Sequence, residues 1–165
     1  MVLDAAGARG MIRTGVIAAL LALGLGLLYV RFAPVDAAAR HVDPLLVERP
    51  GRPNHHLIRP AGGDAAAPVY TRPPDALARR IDEIARADGA ELIAGSVAAG
   101  HMTYLTRTRW LGFPDFTTIK VLPAGRGATF AAFARARFGQ SDMGVNRARL
   151  ERWMAELGDW GAAGG

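Results

Sequence analysis

The chain reads as an α+β protein: an N-terminal transmembrane helix, then a small antiparallel meander sheet with two amphipathic helices. Three observations lead there. An uncharged apolar run, Gly15–Val30, stands near the start. Two segments, Asp75–Asp88 and Arg147–Leu157, repeat apolar residues at helical spacing. Between them, four segments of strand character are joined by short turn-forming connections.

Residues 1–13 form a short tail. The twenty residues from Thr14 to Ala33 have a helical length that matches a hydrocarbon core of roughly 30 Å. Arg31 falls near the far end, where its long stem carries the charge to the interface. The run serves either as a single-pass anchor in the inner membrane or as a secretory signal peptide cut near Ala37-Ala38-Ala39. It exceeds the usual signal-peptide core, which favours retention. Both alternatives place the bulk of the chain across the membrane, in the periplasm of a cell envelope. Arg9 and Arg13 precede the helix while Arg31 and Arg40 follow it, so the positive-inside bias is nearly balanced. Ala18, Ala22 and Gly26 make a small-xxx-small ladder, which the general richness in alanine and glycine explains as simply.

Residues 34–74 read as a linker. Pro34, Pro44, Pro50, Pro53, Pro60, Pro68, Pro73 and Pro74 argue against any long helix or central strand. Gly62-Gly63-Asp64 reads as a flexible loop. From residue 75 to 158 the pattern is that of an α+β core. Asp75 caps a helix whose Leu77, Ile81, Ile84 and Ala85 share one face, ended by Asp88-Gly89. Strands follow at Glu91–Ala98, His101–Trp110, Phe116–Leu122 and Thr129–Phe138. Their connections are too short for parallel crossovers, so neighbours run antiparallel. In the fourth, Phe130, Ala132, Ala134, Ala136 and Phe138 alternate with Thr129, Phe133, Arg135 and Arg137. The last helix carries the stripe Leu150, Trp153, Met154, Leu157. Residues 159–165 read as a disordered tail.

The chain has no cysteine, which removes disulfides, thiolate nucleophiles and cysteine-based metal sites. Nineteen arginines stand against one lysine, a ratio that fits GC-rich coding better than guanidinium chemistry. Residues 34–165 carry 17 basic and 14 acidic side chains. So small a surplus, without interleaved aromatics, argues against nucleic acid. Those 132 residues suffice for one domain.

The densest polar signal is the turn from Arg137 to Arg147. Gly139 and Gly144 permit positive φ, Ser141 and Asp142 favour local backbone bonds, and Asn146 stands at an N-cap position. A turn and cap account for these residue types. An anion site accounts for them too: amides at a helix start, with Arg137, Arg147 and Arg135 or Arg126 nearby, suit a phosphate or carboxylate. The candidate ligand-binding set is Arg137, Ser141, Asp142, Asn146 and Arg147.

The run Arg137-Phe138-Gly139 through Ser141-Asp142-Met143-Gly144-Val145-Asn146-Arg147-Ala148-Arg149 resembles the closing signature of the domain of unknown function 1499 family. Arg52-Pro53-Asn54 resembles its early proline–asparagine motif, and Gly112-Phe113-Pro114-Asp115 its central turn. The resemblance spans roughly residues 42–158. Ala136 departs from it where members often carry serine, and His55-His56 where they carry small or polar residues. The resemblance implies a small, often membrane-anchored bacterial or plastid protein and implies no reaction.

Enzyme patterns are weak. Ser141, two residues after Gly139, lacks the final glycine of a nucleophile elbow, Ser96 lacks both, and no histidine follows His101. His41, His55, His56 and His101 lack metal-ligand spacing, and adjacent His55 and His56 face opposite ways in an extended segment. Gly125-Arg126-Gly127 reads as a hairpin turn. Glu91 with Asp115 or Asp142 forms an acid–base pair only if the fold joins them. The expectation is therefore a non-enzymatic envelope domain, without cofactor, that binds an anionic small molecule or an envelope protein through Gly139–Arg149. The rivals are an enzyme using Ser141, Asp142 and His101, and a structural role in membrane assembly.

Overall fold

The computed structural model describes residues 5–108, 111–158 and 160. The predicted glycine tail and the end of the second predicted strand, at Trp110, lie outside the described residues. Helix α1 (Ala5–Phe32) is followed by a single turn, α2 (Ala37–Arg40). Strands β1 (His55–Arg59) and β2 (Ala65–Ala66) precede helix α3 (Pro74–Ala87). Strands β3 (Glu91–Ser96), β4 (His101–Arg107), β5 (Pro114–Ala124) and β6 (Gly127–Ala136) lead to helix α4 (Val145–Leu157). The sheet order is β2-β1-β6-β5-β4-β3.

Helix α1 is long and apolar enough from Arg9 to Phe32 to cross a membrane, a description that fits a retained anchor and a signal sequence alike. Its large apolar side chains, Leu20, Leu21 and Leu25 among them, are exposed.

Strands β3 to β6 form the expected antiparallel meander. The proline-rich segment, however, contributes two further strands. Strand β1 lies between β2 and β6, because Pro53 and Pro60 bracket it and none interrupts His55–Arg59. Strand β2 returns parallel to β1 after five residues, against the expectation that short connections give antiparallel neighbours. The Gly62-Gly63-Asp64 loop is tightly tied: the Asp64 carboxylate accepts from Leu57 N (2.8 Å), and Asp64 N donates to Leu57 O (2.6 Å). A Cβ at Gly63 would stand 2.8 Å from two carbonyl oxygens.

One sheet face packs on α3 and α4. Leu77, Ile81 and Ile84 of α3 and Leu150, Trp153 and Leu157 of α4 meet Met102, Tyr104, Ile119, Phe130, Ala132 and Ala134. Each large apolar side chain so buried contributes about 1.5–3 kcal/mol. Trp153 also donates to Asp88 (2.9 Å) and meets the Tyr104 ring edge-on. Asp75 does not cap α3; Pro73 holds the N-cap position, and Asp75 in the first turn pairs with Arg79 (2.8 Å).

The other face is covered as well, by residues 33–49, which read as linker in sequence. Phe116, Phe133 and Ala131 are therefore buried opposite the helices. Arg135 lies over the Phe133 ring (4.7 Å) and Arg40 over Phe116 (5.1 Å). Arg135 donates to the Arg40 carbonyl, and burial lowers its pKa to about 10. The His41 and His101 rings stack at 3.9 Å. His101 Nε2 donates to Val42 O (3.1 Å), and Lys120 pairs with Asp43.

Candidate functional site

The polar turn between β6 and α4 is built by backbone shape first. Gly139 and Gly144 take positive φ, and so does Met143 (φ 51°), the single non-glycine to do so among the described residues. Gly144, not Asn146, holds the N-cap position of α4. The donors at the helix start are taken by Asp142, which accepts from Gly144 N (3.0 Å), Asn146 N (3.0 Å) and Asn146 Nδ2 (2.7 Å). Burial opposes ionisation of Asp142, yet these donors outweigh it and set its carboxyl below the usual range. Ser141 Oγ accepts from Met143 N (3.1 Å).

Asn146 is fully buried. Its Oδ1 accepts from Arg149 Nη1 (2.8 Å), and Arg149 Nη2 reaches Asp115 Oδ2 (3.1 Å). A chain of bonds thus runs Asp142–Asn146–Arg149–Asp115 beneath the first turns of α4. Both members of the terminal ion pair are buried, with side chains 5% (Arg149) and 4% (Asp115) exposed. Burial pushes the Asp115 carboxyl up despite the Arg149 charge beside it. Arg149 Nε and the hydroxyls of Thr106 and Thr117 are buried without a partner in the structure. Thr106 stands opposite Asp115 in the β4–β5 register.

Asn54 closes the turn from the other side. Its Nδ2 donates to Gly139 O (2.9 Å), and its carbonyl accepts from Ala136 N (2.9 Å). Beside the network lies a cleft of about 250 Å³. Phe113, Ala136, Phe138, Met143 and Val145 give its apolar lining, Thr108, Gly139 and Ser141 complete the wall, and Asp115 and Asp142 are its acidic groups.

The structure does not gather the expected cations around an anion. Arg137 donates to Pro34 O (2.7 Å) and holds the chain leaving α1. Arg147 is exposed and pairs with Glu151 (2.7 Å) in a separate, open groove that also holds His56 and Asp64. Arg135 lies under the 33–49 segment, and Arg126 sits in the β5–β6 turn at the other end of the strands. Of the five candidate residues, Ser141, Asp142 and Asn146 stay together, and the two arginines diverge.

His101, the third residue of the enzyme alternative, is held on β4 against the 33–49 segment. His101 begins β4 on the face away from the helices, five residues from the Thr106–Asp115 pair, roughly 17 Å by strand rise. Glu91 is exposed at the start of edge strand β3, whereas Asp115 is bonded to Arg149. His55 and His56 lie in one groove, and both rings approach the same Asp64 oxygen, at 4.0 and 3.8 Å. No cluster of three or more metal-ligating side chains occurs among the described residues.

Sequence reasoning missed Arg149 and Asn54, and it considered Asp115 only as a possible partner of Glu91. A signal was present: all three lie in the motifs quoted for the resemblance, and these three separated motifs meet here. A family model described as "Protein of unknown function (DUF1499)" matches residues 41–157. No curated protein matches the chain.

Proposed function

Since the chain belongs to the DUF1499 family, whose description assigns no activity, we propose a function from the cleft: a membrane-tethered domain that binds a largely apolar ligand without transforming it. The observation that carries this is the cleft wall. Phe113, Phe138, Met143 and Val145 line it, and the cation beside Asp115, Arg149, is already committed to that carboxylate. Such a site favours an apolar body over a free phosphate. Helix α1 acts as the retained anchor in this proposal, supported by its length and its exposed leucines. We place the domain on the periplasmic side; labelling of single cysteines put into this cysteine-free chain tests that side directly.

The absence of catalysis is supported by how the polar groups are used. Asp142, Asn146, Arg149 and Asp115 are bonded to one another, and no histidine lines the cleft. The test is native mass spectrometry of the full-length protein, released from host membranes in mild detergent, beside Ala136→Leu, which fills the cleft. A bound mass carried by the native chain and lost from the variant is expected. No bound mass on either, or the same mass on both, would overturn the proposal.

A further inference from the structure

The exit of α1 is held against the domain rather than hung on a free linker. Arg107 Nη1 donates to Arg31 O (2.7 Å), Arg137 Nη1 donates to Pro34 O (2.7 Å), and Ala33 between them is buried. Gly112 lies so close that a Cβ there would stand 2.7 Å from the Arg31 guanidinium. The end of the sheet that carries the β4–β5 loop and the β6–α4 turn is therefore fixed beside the last turn of the helix.

Those two loops also build the cleft. Thr108 and Phe113 come from the first, Phe138 and Met143 from the second, and Val145 opens α4 just after it. Phe113 follows the glycine that touches Arg31, and Phe138 follows the arginine that holds Pro34. This end of the domain exposes large apolar side chains: Met143 at 93%, Leu111 at 48% and Val145 at 38%, near Phe32 at 72%. Arg31, Arg107 and the half-buried Arg137 stand among them. Apolar tips ringed by guanidinium groups match the boundary between acyl chains and anionic headgroups.

We infer that the occupant of the cleft is an acyl chain of a lipid from the bilayer that holds α1, entering past Met143 and Val145 between the Phe113 and Phe138 walls. This rests on the cleft being a binding site and names its ligand class. Volume supports part of a lipid rather than the whole. At about 250 Å³ the cleft falls below the roughly 300–1,000 Å³ of sites that enclose a drug-sized molecule. One chain end fits, and the headgroup stays outside beside the arginines.

The test uses the full chain in phosphatidylcholine–phosphatidylglycerol vesicles. Leu111→Cys, Met143→Cys and, at the opposite end of the sheet, Ala98→Cys each carry an environment-sensitive fluorophore. Acyl-nitroxide lipids quench labels that reach the chains. A second lipid, with a diazirine at its chain end, is crosslinked by light and the peptides are mapped. Quenching at positions 111 and 143 but not 98, with crosslinks on the Phe113 and Phe138 peptides lost in Ala136→Leu, is the expected result. Val145→Trp at the rim serves as a second block if Ala136→Leu fails to fold. Absence of quenching at 111 and 143, or crosslinks that persist in both blocked variants, overturns the inference. A native chain that retains a bound mass in detergent but never crosslinks to the lipid overturns the acyl assignment and leaves the cleft as a site for another ligand.

Discussion

Replacing Arg149 by methionine isolates the buried network. Met keeps most of the aliphatic stem but leaves the Asp115 carboxyl, 4% exposed, without its cation. Removing one partner of a buried ion pair costs about 3–5 kcal/mol. Protonation sets an independent ceiling on the charge part of that loss. From the ordinary value of 3.8, taking up a proton at pH 7 spans about 3.2 pH units at about 1.36 kcal/mol each, hence about 4.4 kcal/mol. At pH 5 the same ceiling falls to about 1.6 kcal/mol. The donor lost to Asn146 Oδ1 adds about 1 kcal/mol at either pH. Arg149→Met should therefore destabilise the protein by about 4–5 kcal/mol at pH 7 and by about half of that or less at pH 5. Denaturant unfolding of the full chain in detergent, followed through buried Trp153, measures both. The double variant Asp115→Leu, Arg149→Met should recover most of the loss, because an apolar pair leaves no uncompensated charge. A loss equal at the two pH values, or a double variant no better than the single, would refute the account.

Arg147→Ala should leave the Tm unchanged, since its pair with Glu151 is exposed and screened by solvent. Arg137→Ala should instead free the chain after α1, read as faster limited proteolysis between residues 34 and 40. Stability should also fall as pH drops from about 7.5 to about 5.5. Burial first, then the His101 charge, holds the His41 pKa below 6.5; the unfolded chain binds more protons in that window, so the contribution is full above 6.5 and lost through the lowered folded value. His41→Gln should therefore flatten the slope of Tm with pH. Gly127→Ala should destabilise by about 2 kcal/mol or more, because its Cβ would stand 1.8 Å from the Tyr70 carbonyl; an unchanged Tm would contradict that packing.

The meander and both long helices were legible because they rest on local signals. Alternation along β6 identified Ala132 and Ala134 as core, and the i, i+3, i+4 stripe identified Leu150 and Trp153. What was illegible depends on contacts far apart in the chain. Nothing local marks residues 33–49 as the cover of a second sheet face; their hold comes from Arg40 O under Arg135 and Val42 O under His101, 95 and 59 residues away. Prolines suggested a linker because they were read as breakers of a strand, when two of them bracket one. The helix start was located closely, but Asp142 took the capping role expected of Asn146, whose amide was needed below to meet Arg149.

That exchange separates the two roles of the polar turn. Asp142 and Asn146, which looked most chemical in the sequence, are consumed together with Arg149 in joining α4 to β5, while Asn54 ties β1 to the same turn. A charged side chain committed to a buried partner has little left to offer a solute, because releasing it exposes the uncompensated group it leaves behind. In the proposed function, recognition falls to the side chains that the network positions without using. Phe113 follows the glycine packed against α1, Phe138 follows the arginine that holds the helix exit, and Met143 is thrust outward by its own positive φ. The motifs meet to fix a frame, and the apolar cleft beside that frame is where binding is to be sought.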